Sequence, residues 1–256
     1  MLLVIEVGNT NTGVGVFDGT RLVASWRLTS RREQTADEYG LFVQTLLGTR
    51  GISTRDIQGV AISNVVPPVQ PILEWMCDSY FGTRPFTVLP GVNVPIPLKV
   101  DHPTEVGADR VCNVVAGRAL YGTPLIVVDF GTATNFDVVN ARGEFVGGAI
   151  APGLMLATEA LTSRAARLSR FEVVRPKEAI GRNTVTNLQS GVVYGYAGLV
   201  DGLVERMRAE LDGDVKVVAT GGLAEQMREV AKSIQTVNQD LRLVGLRMIW
   251  EERTGG

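Results

Sequence analysis

Short apolar runs separated by turn residues form the first part of the chain. The runs cover residues 2–7, 12–18 and 21–28. Gly8-Asn9 and Asp18-Gly19 separate them, and this alternation predicts three successive antiparallel strands. A capping-box sequence that begins at Thr35 precedes apolar residues at helical spacing, which predicts a helix to about Gly48.

The same patterns predict the later elements. Strands are predicted at 60–63, 86–89 and 215–219, with two more within 124–139. Helices are predicted from Pro67-Pro68, with Ile72, Trp75, Met76 and Phe81 toward the core, from about 105 to 121, from Leu154, over about 185–211, directly after Ala224, and over about 240–252. Prolines at 90, 95, 97 and 103 predict an extended connection over 90–104, which includes the single histidine, His102. Residues 164–184 are basic, and a solvated loop is predicted there.

One short unit occurs twice in the chain. Residues 127–134, Val-Val-Asp-Phe-Gly-Thr-Ala-Thr, align with residues 4–11, Val-Ile-Glu-Val-Gly-Asn-Thr-Asn, when the chain is shifted by 123 positions. Each copy is an apolar strand that ends at an acid, Glu6 or Asp129, and continues into a small polar turn. Two aligned copies about half a chain apart predict a protein of two related halves.

The repeated turn suits polyphosphate binding. A glycine after the acid lets backbone N–H groups approach a ligand closely, and Thr and Asn add small donors. The carboxylate can hold a hydrated divalent cation. A hairpin with an acid at its mouth is the simpler interpretation of either copy alone, and the repetition favours the phosphate site.

Composition limits the possible functions. The chain has 256 residues, of which 45% are hydrophobic, enough for one large or two ordinary domains. A net charge of −2 gives no indication of a nucleic-acid or membrane partner, so small-molecule work is expected. Cys77 and Cys112 are predicted to be reduced core residues without a metal or disulfide role. The first apolar run is too short for a membrane span or signal peptide, which predicts a cytoplasmic protein.

Two further segments carry candidate chemistry. Asp109-Arg110 falls near a predicted helix start, where an acceptor lies beside a permanent cation. A first-turn Asp favoured by the helix dipole, with a solvent-facing Arg, explains the pair equally well. Gly221-Gly222 follows a predicted buried strand and precedes a helix, a place where nucleotide can approach bare backbone.

These motifs together resemble the type III pantothenate kinases, over essentially the whole chain. The matching segments are Glu6–Thr10, Glu105–Arg110, Asp129–Thr134, Gly147–Gly153, Ser190–Tyr196, Ala219–Leu223 and Asp240–Leu246. The resemblance implies an α/β fold of the actin-like and sugar-kinase superfamily, with two ribonuclease-H-like domains, mixed sheets flanked by helices, and an active-site cleft between the domains. We expect domains at 1–117 and 118–241, with a C-terminal helix, 242–256, packing back on the first.

The implied activity is ATP-dependent phosphorylation of pantothenate to 4′-phosphopantothenate, the first step of coenzyme A biosynthesis. By the resemblance Asp109 is the general base, and pantothenate meets Gly107, Ala108, Asp109, Arg110 and Thr184. The implied ATP and phosphate contacts are Glu6, Gly8, Asn9, Thr10, Asn11, Gly131, Thr132, Ala133, Thr134, Gly221 and Gly222. The resemblance further implies Mg²⁺ at Glu6, a monovalent cation (K⁺ or NH₄⁺) or Mg²⁺ at Asp129, and a homodimer.

Glu6 departs from the family pattern, which has Asp at this position. The extra methylene displaces a carboxylate where a misplacement of ~1 Å can cost about a hundredfold in rate. Asn135, where Thr is expected, is a smaller departure. An alternative is therefore a catalytically weak paralogue that binds nucleotide or pantothenate and acts as an accessory or regulatory protein. Another small-molecule kinase of the superfamily is disfavoured by the match over 105–110.

Overall fold

The computed structural model describes residues 1–164 and 171–255. The described residues divide into two compact units. Unit 1 contains Met1–Ala116 together with the residues from Asp240 onward, and unit 2 contains the described part of Gly117–Gln239. The end of the chain therefore belongs with its beginning.

Unit 1 is built on one five-stranded sheet with the order β3-β2-β1-β4-β5. Its elements are β1 (Leu2–Val7), β2 (Asn11–Asp18), β3 (Arg21–Thr29), α1 (Ala36–Gly48), β4 (Gly59–Asn64), α2 (Gln70–Phe81), β5 (Phe86–Thr87) and α3 (Ala108–Tyr121), whose last five residues belong to unit 2. β1 pairs antiparallel with β2 and parallel with β4. Every residue of β1 is buried, as its unbroken apolar run predicts for a central strand covered on both faces.

Unit 2 repeats this sheet with the order β8-β7-β6-β9-β10. Its elements are β6 (Leu125–Phe130), β7 (Ala133–Val139), β8 (Phe145–Pro152), α4 (Leu154–Arg164), α5 (Thr184–Ala209), β9 (Lys216–Gly221), α6 (Ala224–Arg228) and β10 (Thr236–Val237). β6 pairs antiparallel with β7 and parallel with β9, as β1 does with β2 and β4. The predicted α/β class with mixed sheets and two related halves is confirmed.

The final helix, α7 (Leu241–Thr254), completes unit 1. It buries Leu241, Leu246 and Ile249 completely. Gly245 of α7 lies against the backbone of Cys112 in α3 so closely that a Cβ atom there would overlap the Cys112 carbonyl. Only glycine allows the two helices to approach this closely.

Some sequence expectations are wrong in detail. Trp75 is 52% exposed, and the buried face of α2 carries Leu73, Met76 and Cys77, because the apolar stripe is rotated by about one residue from the predicted one. The α-helix expected from about residue 105 begins at Ala108, since a 3-10 turn occupies Pro103–Glu105. Residues 171–183 contain no helix or strand, and the basic residues Arg167 and Arg170 lie outside the described residues.

Candidate active site

The first turn joins β1 to β2 and begins at a buried carboxylate. Glu6 is 5% exposed and lies opposite Gly13 of β2 and Ser63 of β4. The Gly8 N–H donates to the Asn11 carbonyl at 3.0 Å, which closes the turn. Asn9, Thr10 and Asn11 are exposed, so their polar groups are accessible to a ligand.

Glu6 forms an ion pair with Arg242, the second residue of α7. The distance from Arg242 Nη1 to Glu6 Oε1 is 2.8 Å, and the side chains are 22% and 7% exposed. Because the pair is partly buried, dissolved salt screens its attraction only weakly. The pair also places a guanidinium beside the first turn. Arg242 is a site residue that the sequence patterns do not indicate, because a lone arginine on a helix is usually solvated.

Asp109 lies at the start of α3, as predicted. The Arg110 backbone N–H donates to Asp109 Oδ1 at 2.8 Å, and both side chains are partly buried. A Cβ atom on Gly107 would overlap Asp109 Oδ1, so the glycine leaves room for this carboxylate. Ala108 is buried at the first position of the helix, which turns Asp109 away from the core.

The surroundings of Cys112 link these groups within unit 1. Burial raises the pKa of the Cys112 thiol, and the negative charges of Glu6 and Asp109 raise the pKa further. A hydrogen bond with Ser63 and the positive charge of Arg242 act in the opposite direction. Four groups from β1, β4, α3 and α7 therefore converge around one thiol. The predicted base and the first predicted phosphate turn lie in one neighbourhood.

The second turn, between β6 and β7, is one residue shorter than the first. The Gly131 N–H donates to the Ala133 carbonyl at 3.0 Å, whereas the first turn spans Gly8 to Asn11. Phe130 therefore pairs with Thr134, as Val7 pairs with Thr12. The structural counterpart of Thr134 is Thr12, which corrects the constant shift of 123 that aligned Thr134 with Asn11.

Asp129 lies at the second turn with a different environment. It is buried between Asn135 of β7 and Thr220 of β9, which share its face of the sheet. Gly221 has φ +92, and a Cβ atom there would lie 2.5 Å from the Phe130 carbonyl oxygen and 2.8 Å from Asp129 Oδ1. Asp129 and Gly221, which are 92 positions apart in sequence, are therefore in contact.

A glycine also allows the chain that follows β8 to pack closely against the second turn. The Gly153 N–H donates to the Thr132 carbonyl at 3.0 Å, and a Cβ atom on Gly153 would overlap that carbonyl. Gly131, Thr132 and Gly222 are exposed. The predicted phosphate turn and the predicted nucleotide contacts Gly221 and Gly222 thus lie together in unit 2.

Thr184 is a further predicted site residue, in unit 2. It is exposed at the first position of α5, which Asn183 caps.

Several residues at the site were not predicted as site residues. Ser63 and Thr220 lie one residue before the ends of the parallel neighbours of the two acid-bearing strands, so the rule that ligands meet the carboxyl ends of parallel strands could have indicated them. Asp137 is a fully buried carboxylate on the same face of β7 as Asn135. It resembled an ordinary strand residue because apolar neighbours surround it in sequence.

The two buried acids differ in how well their surroundings fit a bound cation. The carboxylate of Asp129 with the oxygens of Asn135 and Thr220 is a set of hard donors that fits Mg²⁺ or K⁺. Glu6 fits less well, because Arg242 already neutralises its carboxylate. Within the described residues no cluster of three or more His, Cys, Asp or Glu forms a metal site by itself.

Comparisons with known proteins agree with one another. The family model of type III pantothenate kinase matches residues 2–206. A type III pantothenate kinase from Geobacter sulfurreducens is 50% identical over 98% of this chain and 98% of its own, and one from Acidobacterium capsulatum is 50% identical over 100% and 98%. At the level of fold, the crystal structure of an ROK hexokinase from Thermus thermophilus matches with a TM-score of 0.50 and 16% identity, covering 100% of this chain and 99% of that one.

Proposed function

Because the chain belongs to the type III pantothenate kinase family, we propose that it phosphorylates pantothenate with ATP to give 4′-phosphopantothenate, the first step of coenzyme A biosynthesis. The observation that carries this proposal is the 50% identity to a relative of that name over 98% of both chains. In this proposal the groups of the candidate site described above carry out the reaction.

Asp109 is the proposed general base. It accepts the proton of the pantothenate hydroxyl while the hydroxyl oxygen attacks the γ-phosphorus, and the bond from that phosphorus to the oxygen of ADP breaks. The Arg110 N–H bond fixes the Asp109 carboxylate, and Gly107 keeps space for it. Pantothenate contacts at Gly107, Ala108, Arg110 and Thr184 are part of the proposal.

The two turns are the proposed phosphate sites. Groups at residues 8–11 in unit 1 and at residues 131–134 in unit 2 bind the phosphates, and Gly221-Gly222 meets the adenosine. A bound cation would neutralise phosphate charge during transfer. Asp129, with Asn135 and Thr220, is the oxygen set that we propose holds Mg²⁺ or a monovalent cation.

Assembly and location complete the proposal. Unit 2 exposes several large apolar side chains, and extensive exposed apolar surface is typical of interaction sites. These side chains are Ile150, Met155, Leu156, Ile180 and Val185. We propose that a second copy of the chain covers them in a homodimer. Light scattering after size exclusion tests this, and a monomer at micromolar concentration would contradict it.

A cytoplasmic location is also proposed. Both thiols of the chain, Cys77 and Cys112, are free and buried, as suits a reducing compartment. In the described residues no helix combines the length and apolar character that crossing a bilayer demands.

Pantothenate-dependent ATP turnover in a coupled assay tests the proposed activity. The parent protein should turn over ATP only when pantothenate, Mg²⁺ and a monovalent cation are present. Asp109→Asn should lower kcat about 10²- to 10⁴-fold, the range for loss of a general base. Asp18→Asn, which removes an exposed carboxylate of β2, should leave kcat unchanged. ATP turnover that does not depend on pantothenate would contradict the proposed activity. Full activity in Asp109→Asn would contradict the role of Asp109 as the general base.

The alternative of a catalytically weak accessory protein receives no support from the family comparisons. It depended on Glu6 alone. The ion pair with Arg242 gives this longer side chain a physical role of its own.

A further inference from the structure

Arg242 has no role in the reaction as proposed so far, although its side chain lies at the first phosphate turn. Its guanidinium is 2.8 Å from Glu6 Oε1, and 22% of the side chain remains exposed. The Nη1 atom also lies 4.0 Å from the position that a Cβ atom on Gly8 would occupy. The cation is therefore beside the turn residue that a phosphate must approach.

The two carboxylate oxygens of Glu6 face different neighbours. Oε1 lies 3.5 Å from the ideal Cβ position on Gly8, and Oε2 lies 3.5 Å from that on Gly13 in β2. Arg242 thus binds the oxygen that faces the turn. A metal ligand at this position would need the same oxygen, and the adjacent guanidinium would repel a divalent cation.

The packing of α7 holds Arg242 in place. Leu243 contacts Gly13 and Gly15, where Cβ atoms would lie 3.5 Å and 3.2 Å from its side chain. The close approach at Gly245 anchors the next turn of the helix on α3. Arg242 is consequently presented by a buried helix, and little side-chain entropy remains to be lost when it meets a ligand.

We propose that Arg242 binds the terminal phosphates of ATP at the first turn and that Glu6 is its positioning residue and not a metal ligand. A planar guanidinium donates several N–H bonds to phosphate oxygens while one edge stays on a carboxylate. This inference rests on the proposed kinase function for its role in catalysis. It also explains why the first turn tolerates glutamate, since the longer side chain reaches α7.

Binding of nucleotides of different phosphate length tests the inference directly. Isothermal titration with a non-hydrolysable ATP analogue and with AMP should show at least a tenfold loss of analogue affinity in Arg242→Ala, with less than a twofold change for AMP. In the coupled assay the KM for ATP should rise at least tenfold, and the KM for pantothenate should stay within twofold. Arg242→Lys, which keeps charge and most of the packing, should fall between parent and Arg242→Ala.

Glu6→Gln separates the positioning role from metal binding. It should raise the KM for ATP severalfold and leave the Mg²⁺ concentration for half-maximal activity unchanged. Arg253→Ala is the matched control, because Arg253 lies on the same helix and donates to the Val94 carbonyl. Arg253→Ala shows whether weaker packing of α7 alone affects ATP binding. The KM for ATP of this variant should equal that of the parent.

The possible outcomes distinguish this inference from the proposed function. Unchanged analogue affinity in both Arg242 variants, or a shift of the Mg²⁺ requirement in Glu6→Gln, would overturn the inference. A parent that binds the analogue through Arg242 without pantothenate-dependent turnover would refute the proposed activity and retain the inference. A parent that does not bind the analogue would overturn the inference.

Discussion

The two acid-bearing turns differ more in their surroundings than in their framework. β1 and β6 have the same neighbours in the same directions, and each places its acid opposite a hydroxyl residue, Ser63 or Thr220. Around the first acid the structure adds an arginine from the last helix. Around the second acid it adds the bare backbone of Gly221.

This comparison shows what strand pairing preserves and what it leaves free. Strand order and register are fixed by burial, because a slip of one residue would move each apolar set to the wrong face. The turns lie outside the ladder, so one of them can be a residue shorter than the other, while the acid before each turn is a ladder residue that can be Glu or Asp without a change of register. Two copies of one motif can thus bind the same kind of ligand through different partners.

The largest expected effect is at the second turn. Asp129→Asn should lower kcat by at least about 100-fold, since it removes a carboxylate proposed to hold a cation in a buried site. The change should also raise the Mg²⁺ or K⁺ concentration needed for half-maximal rate. Rate measurements across both cation titrations check this. An equal response in Glu6→Gln would remove the distinction between the turns.

The next effect concerns the glycine that contacts Asp129. Gly221→Ala should destabilise the protein by about 2–4 kcal/mol, because it combines a left-handed conformation with overlap of the Phe130 carbonyl. Asn64 occupies the corresponding position in unit 1, so the constraint is specific to the second copy. Urea unfolding measures the change. Gly131→Ala is the control, since its nearest neighbour would lie at an ordinary 3.5 Å.

A smaller effect is expected from Glu6→Asp. The shorter side chain withdraws from Arg242 by roughly 1.5 Å, about one carbon–carbon bond. We expect a loss of about 1 kcal/mol in stability, since both charges remain and water can enter between them. The KM for ATP should rise severalfold. A gain in activity would instead support the first expectation, that the longer acid impairs the turn.

The smallest effect concerns the two thiols, which both belong to unit 1. Burial raises the pKa of Cys77 to about 12 from an ordinary value of 9.0. The neutral Cys77 thiol therefore makes its full contribution to the free energy of unfolding below about pH 9. That contribution is lost as the pH rises toward 12. At pH 8 we expect a thiol reagent to label the native protein only through opening of unit 1. Rapid labelling of the native protein would contradict this burial.

Much of the fold followed from hydrophobic periodicity. The runs at 2–7 and 12–18 and the helix that ends at Gly48 match the structure closely, because each combines a clear period with strong end signals. The orientation of α2 did not follow, since Trp75 and Leu73 are both apolar and only tertiary packing selects between them.

The site was predictable where a motif is local. Gly107 and Asp109 lie in one segment, and their spatial relation follows from a single turn of chain. The sequence patterns did not predict contacts between segments that are distant in sequence. Arg242 reaches Glu6 across 236 positions of sequence, and no period or spacing encodes that contact. The shorter second turn was also missed, because a constant shift conceals a one-residue deletion.

The position of α7 has a consequence for how the protein is made. A ribosome releases the N-terminal segment of unit 1 first, yet the helix that buries Leu241, Leu246 and Ile249 against it is synthesised only after the whole of unit 2. Unit 2 is continuous in sequence and has all its strands before α7 emerges. Vectorial synthesis therefore completes the second half first, and the earlier half keeps an apolar surface open for a chaperone until α7 emerges.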